Sequence, residues 1–218
     1  MTTATQPETT SPQLASLRDL VIDEVRTFAV GLPTKRSFGV AGGAVTVAGK
    51  PTTRILVRVT AGDVVGWGEA TPIPAWTYET AESIVTTIDR YLAPAVVGLP
   101  AWDLDRVSSV FDRAINRGLS IGAPLAKSAV DVALNDLLGK ALGVPVGMLW
   151  GARRCEQVEL GWIVSGQTPA EVADAVAEGL ELGHRAFKVK VGLHDEASDL
   201  AVVRACLSMR LLATGRVI

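Results

Sequence analysis

Hydrophobic and polar residues alternate in three stretches near the start of the chain. Leu20 to Val30 reads as a strand. Thr53 to Thr60 reads as a second, with Ile55, Val57 and Val59 on one face and Leu56 and Arg58 on the other. Val64 to Ala70 returns after the turn Ala61-Gly62-Asp63, which predicts a hairpin. A hairpin alone is marginal, so the first strand is expected to complete a small antiparallel sheet. Gly31 to Gly49 is glycine-rich and lacks a clear period, which predicts a mobile loop. Thr71 to Thr77, with Pro72, Pro74 and Trp76, predicts a second loop.

The period then changes to that of helices. Glu79 to Ala95 carries Ile84, Ile88 and Leu92 at helical spacing, and Trp102 to Arg117 gathers Leu104, Val107, Val110, Phe111 and Ala114 on one side. Pro124 to Leu142 has the clearest stripe: Ala126, Ala129, Val130, Ala133, Leu134, Leu137, Leu138 and Ala141. Lys127, Asp131, Asn135, Asp136 and Lys140 fill its other side, and Gly143 with Pro145 ends it. Strands first and helices after make an α+β unit.

Beyond Gly151 strand and helix alternate. Gln157 to Val164 predicts a strand. Thr168-Pro169-Ala170-Glu171 then starts a helix: Thr168 caps it, Pro169 takes the first helical position and Glu171 reaches back. That helix runs to Leu182 and stops at Gly183. Arg185 to Gly192 is a strand in which Phe187, Val189 and Val191 alternate with Ala186, Lys188 and Lys190. Asp195 caps a helix through Val202 and Val203. This order is the start of a βα repeat, as in a barrel. The expected division is a disordered tail over 1–17, an α+β domain over 18–150 and a partial β/α domain over 151–218.

Composition narrows the partners. The chain is 48% hydrophobic and 20% charged, ordinary for a core-forming protein. A net charge of -2 gives no sign of nucleic acid or an acidic membrane as partner. No run is apolar enough to span a membrane, and Met1 to Ser16 is too polar for a signal peptide. Two cysteines, Cys155 and Cys206, indicate no disulfide framework and suit a reducing cytoplasm. His184 and His194 flank the last strand without metal-ligand spacing, which points to surface or helix-end roles.

The chemistry lies in Lys188 and Lys190. A Lys-x-Lys pair is ordinarily the wet face of an edge strand. Strands between helices usually form a parallel sheet covered on both faces, so here both lysines are expected to point into the protein. In such a place one lysine can serve as a general base while its cationic neighbour holds an anion.

At this point the chain resembles the enolase superfamily, in the mandelate racemase and muconate-lactonizing enzyme branch. The resemblance rests on Gly66-Trp67-Gly68-Glu69-Ala70, on Ala93-Pro94 with Gly98, and on Ala126-Lys127-Ser128-Ala129-Val130-Asp131-Val132-Ala133-Leu134. Gly143-Val144-Pro145, Leu149-Trp150-Gly151 and, most diagnostic, Phe187-Lys188-Val189-Lys190-Val191-Gly192 extend it. It implies an α+β capping domain, a three-stranded antiparallel sheet plus helices, followed by the first two βα units of a truncated TIM-like (β/α) barrel. Lys190 would abstract the proton next to a carboxylate, and Lys188 would hold that carboxylate. A divalent ion, usually Mg2+, stabilises the enediolate in a full-length member. The implied partner is a small-molecule carboxylate, and a full-length form is expected to be a homo-oligomer. The loops over 31–49 and 71–77 would close over the substrate, with Thr34, Trp76 and Tyr78 assigned to binding it. For Trp76, packing within the cap is an equal alternative. The branch holds racemases, epimerases, cycloisomerases and dehydratases. Trp162-Ile163-Val164-Ser165-Gly166-Gln167-Thr168 is similar to the first barrel strand and turn of muconate cycloisomerases, which tilts the reaction that way.

The chain also departs from the family. The metal is held there by acidic residues on the next three barrel strands, yet no Asp or Glu follows Asp199. Leu207 to Ile218 shows neither Asp-x-Asn nor a clean strand. A full barrel needs about 250 residues, and 68 follow Trp150. The expectation is therefore a truncated or frame-shifted form, or a partial record, without metal ligands and inactive as it stands. Two other readings stay open: a cap fragment that acts only by association with other subunits, and a Schiff-base enzyme using Lys188 or Lys190. Borohydride trapping would reveal the latter.

Overall fold

A computed structural model describes residues 17–217 except 36, 41, 42, 75, 152–154, 156, 165, 167, 193, 194 and 212–215. The tail over 1–16 and His194 lie outside the described residues. The chain divides into two compact units, Met1–Leu32 with Pro51–Arg153, and Pro33–Lys50 with Arg154–Ile218. The segment 33–50, expected as a loop of the first domain, thus groups with the later half of the chain.

The first unit is built on a three-stranded antiparallel sheet ordered β1-β4-β5, where β1 is Glu24–Pro33, β4 Pro51–Ala61 and β5 Val64–Ala70. β1 starts later than its hydrophobic pattern suggests and runs further. Val21 forms an isolated bridge with Pro100, and Ile22 N–H donates to the Leu99 carbonyl at 2.9 Å, so this stretch is tied to a loop. β4 and β5 pair antiparallel from Ile55 with Ala70 to Ala61 with Val64, as the alternation predicts. Ile55, Val57 and Val59 are fully buried, while Arg58 on the other face pairs with Glu24 at 2.6 Å.

Helices cover the buried face. α1 (Ala81–Thr87) is capped reciprocally by Thr80 and Ser83, passes through a π turn at Ile88–Leu92, and continues as α2 (Ala93–Val96). α3 is Leu104–Ala114, α4 Pro124–Leu142 and α5 Val146–Leu149. α4 lies almost in contact with β5. A Cβ on Gly66 would stand 2.0 Å from the Ala133 carbonyl oxygen, and one on Gly68 2.0 Å from that of Ala129. The glycines of Gly66-Trp67-Gly68 thus let strand and helix backbones approach, with alanines facing them across the gap. Gly143 ends α4 with φ 67°, the left-handed conformation that glycine adopts most easily. Asn135, expected on the polar side of α4, is 6% exposed, because the core encloses more of this helix than one stripe. Its Nδ2 donates to the Asp131 carbonyl at 2.9 Å.

The start of α4 is held from a distance. Ala123 precedes it with φ 53° and offers no side-chain cap. Glu79 supplies one instead: its carboxylate accepts from Leu125 N–H at 2.6 Å and Ala126 N–H at 3.1 Å, and the residue is buried. A carboxylate there satisfies two donors that the helix cannot and complements the helix dipole.

In the second unit β6 (Gly161–Val164), β7 (Ala186–Val189) and β8 (Arg216–Val217) pair in parallel in that order. α6 (Pro169–Glu181) and α7 (Glu196–Leu211) connect them. Thr168 and Glu171 form the expected capping box, and Asp195 caps α7 by accepting from Ser198 N–H at 3.0 Å. Three expectations are corrected. β6 is shorter than Gln157 to Val164, and Val158 and Leu160 are exposed. α7 continues past Val203 to Leu211, and Arg216–Val217 forms a short strand on β7 where none was expected. The glycine-rich stretch also folds: β2 (Phe38–Val40) and β3 (Gly43–Thr46) make an antiparallel hairpin with a register shift between Phe38 and Gly39.

Candidate active site

β7 sorts its side chains by face. Phe187 is 1% exposed and packs with Val172 and Val176 of α6 and with Val202 and Cys206 of α7. Gly179 lets α6 come this close, since a Cβ there would lie 2.7 Å from the Trp162 ring and 2.8 Å from Phe187. Trp162 is fixed by donating from Nε1 to the Ala175 carbonyl at 2.9 Å. His184 stacks on it with ring centroids 4.8 Å apart and keeps Nδ1 3.1 Å from the Leu160 carbonyl, a structural role at a helix end.

Alternation turns Lys188 and Lys190 away from the helices. Lys190 follows the last residue of β7 and extends the ladder, donating its N–H to the Val164 carbonyl at 3.3 Å. It is half-buried, and its Nζ stands 5.0 Å from the centroid of the Phe38 ring. The chain then leaves through Gly192, φ 84°, whose N–H donates to Asp199 Oδ2 at 2.6 Å and ties the exit to α7. The expectation that both lysines point into a covered sheet is corrected at Lys188, which is exposed. Within this unit α6 and α7 pack on the Phe187 face of the sheet, and Phe38 of the β2–β3 hairpin meets Lys190.

Thr34 stands at the base of that hairpin. Its hydroxyl donates to the Val47 carbonyl at 2.9 Å, and its own carbonyl accepts from Gly49 N–H at 2.9 Å. Trp76 and Tyr78 belong to the first unit, in the segment after β5. They are 61% and 87% exposed, so neither packs in that unit's core. Phe38 was not singled out by periodicity or spacing, although it is the one aromatic residue between Gly31 and Gly49.

The described residues offer no set of ligands that fits a magnesium ion. Among the described residues no group of three or more His, Cys, Asp or Glu could hold a metal, and no carboxylate follows Asp199 in the sequence. A hard cation of this kind needs oxygen ligands in near-octahedral geometry. No helix among the described residues is long and apolar enough to cross a membrane.

Comparison with known proteins agrees with this architecture. Residues 23–151 match the family model of the mandelate racemase / muconate lactonizing enzyme N-terminal domain. Muconate cycloisomerase 1 of Pseudomonas putida is 42% identical over 158 residues, 70% of this chain and 40% of that protein. The muconate lactonizing enzyme of Pseudomonas fluorescens, solved with muconolactone, superposes with TM-score 0.79 at 32% identity over 88% of this chain and 50% of its own. A dipeptide epimerase from Enterococcus faecalis, solved with Mg and a dipeptide, superposes with TM-score 0.77 at 27% identity over 87% of this chain and 51% of its own. The chain spans about half the length of the curated relatives it matches. It belongs to the mandelate racemase and muconate lactonizing enzyme branch of the enolase superfamily.

Proposed function

We propose that this chain carries the proton-transfer lysines of an isomerase of the muconate cycloisomerase type, acting on a small carboxylate. The observation that carries the reading is the pairing of Lys188 and Lys190 on the helix-free face of β7, at its C-terminal end. Parallel β/α proteins place their chemistry at that end of the strands. In this reading the C–H bond next to the carboxylate breaks and its electron pair moves into the carboxylate as an enediolate. The proton goes to Lys190 Nζ. Lys188 stays cationic and holds the carboxylate oxygens, which keeps the reacting carbon near Lys190. The muconate relatives tilt the reaction toward cycloisomerisation, and the epimerase keeps racemisation chemistry within the same reading. No step is assigned to magnesium, since no residue set among the described residues fits it.

The test is a chimera in which the second half of the Pseudomonas putida enzyme follows this chain. Exchange of the α-proton of muconolactone with D2O is followed by NMR, with magnesium in the buffer. Lys190→Ala should lower exchange by about 10²–10⁴-fold. Lys188→Ala should raise KM and also slow exchange. A folded chimera that exchanges nothing, or a Lys190→Ala form that exchanges normally, would sink the proposal.

A further inference from the structure

We propose that the outer face of the first unit's sheet is a contact between two copies of this chain, joined about a twofold axis on Phe28 and Trp67. The inference does not depend on the role of Lys190. On the inner face Ile55, Val57 and Val59 are buried in the core, and alternation turns their neighbours outward. Phe28, Leu56 and Trp67 take no part in that core, and Trp67 is 43% exposed. Trp67 lies opposite Arg58 in the register of β4 and β5, and its ring meets Phe28 with centroids 5.8 Å apart. The guanidiniums of Arg26 and Arg58 stand 5.6 and 5.7 Å from the centroid of the Phe28 ring. No lysine occurs in these three strands. Phenylalanine, tryptophan and arginine gathered in one place, without lysine, are the composition of a protein contact rather than of a solvated sheet face.

The polar groups indicate the partner. Arg58 donates from Nη2 to Glu24 at 2.6 Å, and Arg54 places Nε 3.1 Å from Glu69. Each guanidinium keeps another nitrogen buried without a hydrogen-bond partner, Nε in Arg58 and Nη1 in Arg54. Arg26 is exposed and has no carboxylate partner among the described residues. The face is thus short of acceptors, and buried donors without acceptors are costly. A polyanion is a poor occupant, because Glu24 and Glu69 stand among the arginines. A second copy fits. A twofold contact sets a patch against itself, which calls for both signs of charge on one face. Glu24 and Glu69 of one copy then bring carboxylates to the arginines of the other, around an aromatic centre that excludes water.

Sedimentation velocity of the whole chain over a concentration series, with oxidative footprinting of Trp67, tests this. The wild type should pass from monomer to dimer, and oxidation of Trp67 should fall as it does. Trp67→Ala and Arg26→Glu should each raise the dimer dissociation constant about tenfold or more. Arg26 is exposed and outside the core, so its variant keeps the fold. Val158→Ser together with Leu160→Ser, on exposed apolar positions of the second unit, should leave the constant unchanged. A chain that stays monomeric overturns the proposal. So does a dimer that neither Trp67→Ala nor Arg26→Glu weakens, or one that the Val158 and Leu160 substitutions disperse.

Discussion

The two units differ in how much each buries. The first gathers twenty-two buried hydrophobic residues in one core, from Ile22 to Leu138, whereas the core of the second gathers six among the described residues, centred on Phe187. The second also leaves Val158, Leu160 and Val191 more than half exposed. Hydrophobic burial is the main favourable term in folding, so the first unit should carry most of the stability. The lysine pair stands on the unit with the smaller core. Sites that must admit a substrate are commonly found in the less stable parts of a fold. A firmer scaffold and a looser lysine-bearing unit are thus expected to unfold separately.

The strongest way to break this comparison is at the closest approach in the scaffold. Gly66→Val places side-chain atoms where the Ala133 carbonyl of α4 already stands, 2.0 Å from the new Cβ. Backbone cannot yield as a flexible side chain does, so the first unit should lose more than about 4 kcal/mol. Loss of protection along α4, read by hydrogen exchange, checks it. Next is Phe187→Ala, which removes the largest fully buried side chain among the described residues from the six-residue core. It should cost the second unit about 3–4 kcal/mol, and exchange should rise in α6 and α7 while α4 keeps its protection. If α4 loosens equally, the units do not unfold separately. The smallest effect sharpens the picture within the scaffold. Glu79→Gln keeps one acceptor but loses the charge at the start of α4, and should cost roughly 1–2 kcal/mol in denaturant unfolding.

How much of this was legible differs by region. The hairpin of β4 and β5 could be read because Ile55, Val57 and Val59 alternate with polar neighbours and all end fully buried. The caps at Thr168 and Asp195 were legible because their partners lie three residues away. Glu79 was not, because the donors it serves are 46 and 47 residues along the chain. Gly66 and Gly68 could be seen as a motif, but their reason appears only when α4 lies against them. In the second unit the pattern located both lysines, while their surroundings were misjudged. Strand–helix alternation cannot say which face a helix covers, and it gave no hint that Phe38 meets Lys190. The hairpin itself was hidden because glycine-rich segments carry little periodic signal.

The most direct test of the central claim is chemical rescue of Lys190→Ala in the chimera with the Pseudomonas putida half. A side chain that acts as a base can be replaced in part by a small amine diffusing into the space it left. Methylamine or ethylamine should restore measurable α-proton exchange to Lys190→Ala, in proportion to the concentration of free amine, and leave Lys188→Ala unimproved. If Lys188→Ala is rescued instead, or if neither amine restores exchange to a folded Lys190→Ala chimera, Lys190 is not the proton acceptor.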